Sequence, residues 1–260
     1  MGPDGGSRVD ITEIEVRSAL SVSRIPGVQY TINPYVGCEH GCRYCYACFM
    51  SRYSRHHKDA PWGSFVEAKV NLVDLLAREL PRKRKRSTVF LSSVCDPYQP
   101  AEERYRLTRG CLELLAAHGW GIEILTRSPL AGRDVDVLRG AAVVSVGFSI
   151  PTDNERVRQV LEPNSPTIAQ RVEALKEVRE SGVSTWVFVA PMLPMDPLRL
   201  YAMIHPHVDS VLVDGLNYSF RVKEIFHRNG WGYALSGQYA HRTGRKLLDL
   251  FGEKARQVCA

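Results

Sequence analysis

The stretch Asn33–Met50, NPYVGCEHGCRYCYACFM, decides how the 260-residue chain is read. Cys38, Cys42, Cys45 and Cys48 fall within eleven residues, with Gly37 and Gly41 beside the first two. So short a loop has no room for a hydrophobic core, and its sulfur has few physical uses. Thiolates are soft donors, and three or four from one loop suit zinc or an iron–sulfur cluster. The glycines let the backbone turn tightly enough to point successive thiolates inward. A structural zinc site usually draws its ligands from two separated pairs, and no second CxxC or HxxxH pair is present. Bacterial ferredoxin loops run x2, x2, x3 with proline after the last cysteine, whereas this one runs x3, x2, x2 and continues with Phe49.

The spacing Cys38-x3-Cys42-x2-Cys45 resembles the cluster loop of the radical S-adenosylmethionine (SAM) superfamily. In that family three cysteines hold three irons of a 4Fe–4S cluster, and the fourth iron takes the amine and carboxylate of SAM. Tyr44 stands where the family places an aromatic residue, just before the third cysteine. Cys48 has two readings. As a fourth ligand it would close the cluster and make the site structural or electron-transferring; as a small buried hydrophobe it would lie beyond the loop. The second is preferred, because Cys38, Cys42 and Cys45 already fit an open site.

At 260 residues and 44% hydrophobic content the chain can bury a full α/β core. No run of eighteen apolar residues occurs, so no membrane span is expected. The opening MGPDGGSRVD lacks a basic stretch followed by an apolar one; it reads as a disordered tail over 1–10, not a secretory signal. Seven cysteines, four of them crowded, fit a reducing cytoplasm better than a disulfide scaffold. The net charge of +6 is compatible with nucleic acid without naming a partner. The densest basic run, Arg82-Lys83-Arg84-Lys85-Arg86, reads as a solvated connection at the far end of the fold from the active site.

Outward from the cluster loop, the pattern alternates strand and helix. A lead-in over 11–32 reaches a first strand at Gln29–Asn33. After the loop and an irregular segment, Phe65–Leu80 reads as helical from Val66, Val70, Val73, Leu76 and Leu80. Strands follow at Val89–Leu91, Ile122–Leu125, Val143–Ile150, Thr185–Ala190 and Val208–Val213. Helices are expected at Arg104–His118, Asp134–Leu138, Pro166–Glu180 and Leu198–His205, then around Arg221–His227 and Gln238–Arg256. Parallel βα units result. Six strands match the open barrel of the superfamily that the loop resembles, so the expected fold class is α/β, a partial (β/α)6 TIM-like barrel of the radical SAM type, with one domain over 11–260 that ends in a helical segment. Chemistry in such sheets sits on the loops after the strands.

Those loops sharpen the resemblance. TINPYVGCEHGCRYCY, SSVCDPYQPAE, LTRSPL, GFSIPTDNERV, LEPNSPTIAQRVEAL and FVAP, in that order over about Ile25–Asn217, are similar to the spore photoproduct lyase-like branch of the superfamily, also called DNA repair photolyase-like. The resemblance implies a cation after the third strand and a serine on the fourth, both near SAM; Arg127 and Ser149 occupy those places. An arginine fork can meet a carboxylate with two hydrogen bonds. The competing readings are a surface ion pair for Arg127 and a backbone-bonded hydroxyl for Ser149. Spore photoproduct lyases use a cysteine after the second strand to return hydrogen to the product radical. Cys95 falls in that segment, either as such a donor or as an inert buried thiol. Tyr98 is either a radical relay or a ring packed on adenine. Glu162 reads as structural, fixing the helix entry or pairing with Arg171.

The activity implied is reductive cleavage of SAM at the cluster to methionine and a 5′-deoxyadenosyl radical, which abstracts hydrogen from substrate. A thymine photoproduct in DNA is the substrate the branch suggests, and flavodoxin or ferredoxin the kind of electron donor. Fold and cofactor do not fix substrate. Three alternatives stand beside this: a small-molecule or peptide substrate, a non-catalytic four-cysteine iron–sulfur protein, and a nucleic-acid-binding module with a structural cluster.

Overall fold

The computed structural model describes residues 9–83, 87–142 and 144–258. Most of the expected tail, Arg84 to Arg86 of the basic run, Val143 at the start of an expected strand, and Cys259 lie outside the described residues. Among the described residues eleven strands follow in chain order: β1 (Asp10–Ile14), β2 (Ser21–Val22), β3 (Tyr30–Ile32), β4 (Tyr35–Gly37), β5 (Phe65–Lys69), β6 (Thr88–Leu91), β7 (Gly121–Thr126), β8 (Val144–Ser149), β9 (Ser184–Val189), β10 (Ser210–Val213) and β11 (Ala255–Gln257). They form one eight-stranded sheet, β11-β10-β9-β8-β7-β6-β3-β2, and a small one, β1-β5-β4.

The six expected strands are β3 and β6 to β10, neighbours in sequence order and parallel throughout. Parallel neighbours need a crossover, and helices supply it. Helix α1 (Leu72–Glu79) precedes β6; α2 (Ala101–Tyr105) and α3 (Leu107–Ala117) precede β7; α4 (Val135–Leu138) precedes β8. Next come α5 (Glu155–Leu161) and α6 (Ile168–Glu180) before β9, α7 (Pro197–Ile204) before β10, and α8 (Lys223–Arg228) and α9 (Gly237–Phe251) before β11. Strand β11 adds a parallel edge and β2 an antiparallel one. Among the described residues no pairing joins these two edges, so the sheet is a partial barrel that stays open.

The period of two along each strand separates the faces of the sheet. Val89, Leu91, Ile122, Ile124, Val146, Phe148, Val187 and Val211 face the helices and form the main core. Each such fully buried side chain contributes about 1.5–3 kcal/mol. Phe90, Glu123, Leu125, Trp186, Phe188 and Leu212 alternate with them and line a hollow on the other face. Gly147 lies in that row, and the Trp186 indole occupies the space its missing side chain leaves.

The structure departs from the expected elements where a distant partner decides. Phe65–Lys69 is not the start of a helix but a strand, held between β1 and β4; the helix begins at Leu72. Lys69 has no helical continuation because Val70 turns back to bond Ile14. The expected helix Arg104–His118 breaks at Arg106, whose φ of 50° is left-handed. The buried Glu102 drives that break: its carboxylate accepts from the amides of Thr108 and Arg109, which are otherwise orphan donors at the start of α3. The last expected helix stops at Phe251, and Ala255–Gln257 is a strand rather than its final turn. Helix α6 begins later than expected, at Ile168, because Thr167 and Gln170 form a capping box.

Candidate active site

The cysteine loop leaves β4 at the C-terminal ends of the parallel strands. Gly37 ends that strand at φ 89°, where an added Cβ would strike the Phe65 backbone, and Gly41 turns the loop at φ 58° against Gly63. Two short turns space the thiols: the Gly41 amide bonds the Cys38 carbonyl at 3.2 Å, and the Cys45 amide bonds the Cys42 carbonyl at 3.1 Å. Segment 92–101 clamps one flank. Asn33 Oδ1 accepts from the amides of Ser93 and Val94, and Gln99 exchanges bonds with Glu39 N and Gly37 O. Asn164 clamps the other, donating to the Glu39 carbonyl at 3.0 Å.

Cys38, Cys42 and Cys45 all line one cavity of about 530 Å³ that runs down the inner face of the sheet. Burial pushes each of their thiols up, Cys45 to about 12, so without a metal each keeps its proton at neutral pH and ligation must displace it. Among the described residues no three His, Cys, Asp or Glu side chains close on a single-ion point. Three cysteines of one loop on one cavity wall are instead a donor set suited to a polynuclear cluster. Cys48 is not on the cavity wall; its thiol donates to the Tyr46 carbonyl at 3.8 Å.

Tyr44, Arg127 and Ser149 reach the same wall. The Arg127 amide, just after β7, donates to Asp96 Oδ2 at 2.8 Å. Its guanidinium gives Nε to Glu162 at 3.2 Å and Nη2 to the Tyr44 hydroxyl at 3.1 Å, leaving three of five N–H donors over. Arg127, half-buried itself, is therefore paired with a fully buried carboxylate and not with a surface one. The partner, Glu162, is wholly buried and also bonds Arg171 at 2.5 Å and the Tyr44 hydroxyl. Burial works to raise its carboxyl, but Arg171 and Arg127 outweigh that and hold it at about 2. The expected pairing with Arg171 is present; the link to Arg127 and Tyr44 was not foreseen, since it joins residues far apart in the chain.

Asp96 was missed as a site residue. It lies on the cavity wall and takes hydrogen bonds from Thr126 Oγ1 at 2.6 Å, the Tyr98 amide at 2.9 Å and the Arg127 amide. His40 Nε2 approaches it to 3.3 Å, too obliquely for a hydrogen bond. The signal was available: a carboxylate beside a proline on a strand-end loop. Cys95 is on the wall too, its thiol 3.4 Å from Ser92 Oγ. Tyr98 is not. It is fully buried in the main core with Arg133 over its ring, so the structure does not bring it together with the other candidates. Glu123 and Trp186, deeper on the inner face, were also unforeseen.

A ladder of parallel strands with a three-cysteine loop at their C-terminal ends defines a class, and comparison with known proteins agrees. The chain belongs to the radical SAM superfamily, whose family model matches residues 32–199. It is 35% identical over 188 residues to an uncharacterized protein of Methanocaldococcus jannaschii, an alignment covering 72% of this chain and 70% of the relative. An uncharacterized protein of Mycobacterium tuberculosis is 35% identical over 193 residues, covering 71% of this chain and 57% of that one. In fold the chain is similar to a spore photoproduct lyase solved with dinucleoside spore photoproduct, at a TM-score of 0.69 and 15% identity over 95% of this chain and 81% of the other. Among the described residues no helix is long and apolar enough to cross a membrane.

Proposed function

We propose that the chain is a radical SAM enzyme in which Cys38, Cys42 and Cys45 hold one 4Fe–4S cluster and SAM lies in the adjoining cavity. The observation that carries this is the shared wall: three cysteines of one loop and Arg127 line a single chamber. When bound, the cluster and SAM supply reductive cleavage to methionine and a 5′-deoxyadenosyl radical able to abstract hydrogen from substrate. The protein's own part is binding and orientation. Arg127, pinned by Glu162 and Asp96, offers its remaining N–H groups to the SAM carboxylate, and Ser149 and Tyr44 complete that wall. The apolar inner face excludes water from the reacting groups. Cys95 holds a hydrogen at Sγ on the same wall, positioned to return it to a product radical. Tyr98 packs in the core and takes no part. Electrons come from a carrier such as flavodoxin or ferredoxin.

The substrate reading is a thymine photoproduct in DNA, supported by the likeness in fold to a lyase bound to a dinucleoside photoproduct. Consumption of that dinucleoside is its test; no consumption would hand the chamber to a small-molecule or peptide substrate. The enzyme reading has its own test. The cluster is reconstituted anaerobically, dithionite and SAM are added, and 5′-deoxyadenosine is quantified in wild type, Cys42→Ala and Cys48→Ala. Formation in wild type and Cys48→Ala with loss in Cys42→Ala is expected. A wild type that carries an intact cluster yet releases none would overturn the enzyme reading in favour of the four-cysteine protein.

A further inference from the structure

The mouth of the chamber bears a series of rings that the proposed chemistry does not use. Tyr46, Phe49, Tyr53, Tyr218 and Phe220 are exposed and touch one another without a gap. Ring centroids lie 6.2 Å apart from Tyr53 to Phe49, 6.5 Å from Phe49 to Tyr46, 6.4 Å from Tyr46 to Tyr218 and 6.3 Å from Tyr218 to Phe220. Local structure accounts for the alignment. Tyr46–Tyr53 is a 3-10 helix, and at three residues per turn Tyr46 and Phe49 share an edge. The Tyr46 hydroxyl is tied to the Ser93 carbonyl, and Tyr218 stacks on its ring at 21°. Single exposed apolar side chains are ordinary, but five in contact, with Phe220 and Tyr53 73% and 71% exposed, form a surface that something covers. Tyr46 and Tyr218 also line the cavity, so the series leads into the chamber.

Charge says what covers it. The two segments that carry the rings, 40–58 and 215–223, contain no Asp or Glu. They contain Arg43, Arg52, Arg55, Lys58, Arg221 and Lys223, all exposed, with Arg55 Nη1 donating to the Glu15 carbonyl at 3.2 Å, while Glu39, Asp59 and Glu224 flank the segments. The side-chain ion pairs of the described residues leave all six out. Asp214, the carboxylate on the nearby wall, is taken up by the Gly215 amide and Asn217 Nδ2. Aromatic residues interleaved along the chain with cations that pair with no carboxylate match bases and phosphates: each base offers a π-face, and each phosphate a negative charge. In a duplex the base faces are stacked on one another and closed to such rings.

We propose that this rim binds an unpaired nucleic-acid strand, stacking its bases on the five rings and meeting its phosphates with cations of the two segments. The inference deepens the DNA reading of the substrate and rests on it for the rim's purpose, while its test involves no SAM chemistry. Fluorescence anisotropy of the cluster-reconstituted full chain is measured against a labelled 20-mer of thymidine, the uridine counterpart, an abasic 20-mer of equal charge and a 20-base-pair duplex. Binding of the thymidine strand is expected to exceed that of the abasic strand and the duplex, with the uridine arm telling whether DNA or RNA is preferred. Phe220→Ala and Tyr53→Ala, both surface changes, are each expected to weaken binding about 5-fold or more, and Phe220→Trp to restore it. Neutralising three to six phosphates predicts a log–log salt slope of about −2 to −4. Equal affinity for abasic and intact strands, or ring variants without effect, would overturn the proposal. So would ring variants that slow reduction by an acidic flavodoxin while leaving oligonucleotide binding intact. Failure of the wild type to cleave SAM would sink the enzyme reading and leave this binding result standing.

Discussion

At the scale of single residues, the site turns on Glu162, a fully buried carboxylate that ties three parts of the fold together. Arg171 anchors it to α6, Arg127 ties it to the end of β7, and Tyr44 ties it to the cysteine loop. Two guanidiniums share one buried negative charge, so removing that charge leaves them uncompensated. Glu162→Gln, nearly the same in shape, is expected to destabilise the fold by about 3 kcal/mol, at the low end for breaking a buried pair. Urea unfolding of the purified chain measures it, and a loss under 1 kcal/mol would show that the pair is dispensable. Arg127→Lys is a subtler change. A lysine is a point charge without the fork, so it cannot hold Glu162 and Tyr44 together and still present donors to the cavity. SAM affinity by equilibrium dialysis is expected to fall about ten-fold, and an unchanged affinity would remove Arg127 from the proposed binding wall. The resemblance pointed to Arg127 as the cation after the third strand, and the structure puts it on the cavity wall that Cys38, Cys42 and Cys45 share. What holds Arg127 in place was missed, because nothing local in LEPNSP says that its glutamate is buried against a tyrosine 118 residues away.

At the scale of elements, what was legible followed the local period. Six apolar strands separated by amphipathic stretches announced the parallel ladder, and each of the six is there. The small sheet was not legible. Phe65–Lys69 sits in a run whose apolar spacing suits a helix, and only its pairing with β1 and β4, respectively 55 and about 30 residues away, makes it a strand. Its Glu67 is buried for a reason equally remote from the pattern: one carboxylate oxygen takes Ser54 Oγ and the amides of Arg55 and His56, fixing the segment after the cysteine loop. The ends of elements offer a sharper test. Gly37 closes β4 and Gly182 follows α6, both with φ near 90° (89° and 87°). Alanine is strained at either, by about 1–2 kcal/mol. At Gly182 nothing lies within 4 Å of the new methyl, whereas at Gly37 it meets the Phe65 backbone. Gly182→Ala is therefore expected to lose only the conformational term, and Gly37→Ala at least about 2 kcal/mol more, together with iron retained after reconstitution. Equal losses in the two variants would mean that β4 and β5 yield without consequence, and that the cysteine loop does not depend on their close approach.

At the scale of the whole molecule, the same carboxylates that build the site couple its stability to acid. Glu162 and Asp96 each titrate at about 2 in the folded chain. Burial opposes this in both; Arg171 and Arg127 overcome it for Glu162, and His40, Thr126 and the Tyr98 amide for Asp96. Unfolded, such groups titrate near pH 4, so the folded state binds fewer protons across the interval between. Their stabilisation is present in full above pH of about 4.5 and is lost as pH falls towards 2, on the order of 2–3 kcal/mol for each. The loss is global because the two residues bridge the cysteine loop, the ends of β6 and β7, and α6, the parts that the hollow face of the sheet does not itself hold together. Unfolding free energy measured in urea from pH 7 to pH 3 is expected to fall steeply for wild type. Glu162→Gln should start lower and fall less, since about half of the glutamate's contribution is already gone from wild type at pH 3. Two parallel curves would place the acid sensitivity elsewhere in the chain and leave the Glu162 bridge a matter of shape rather than charge.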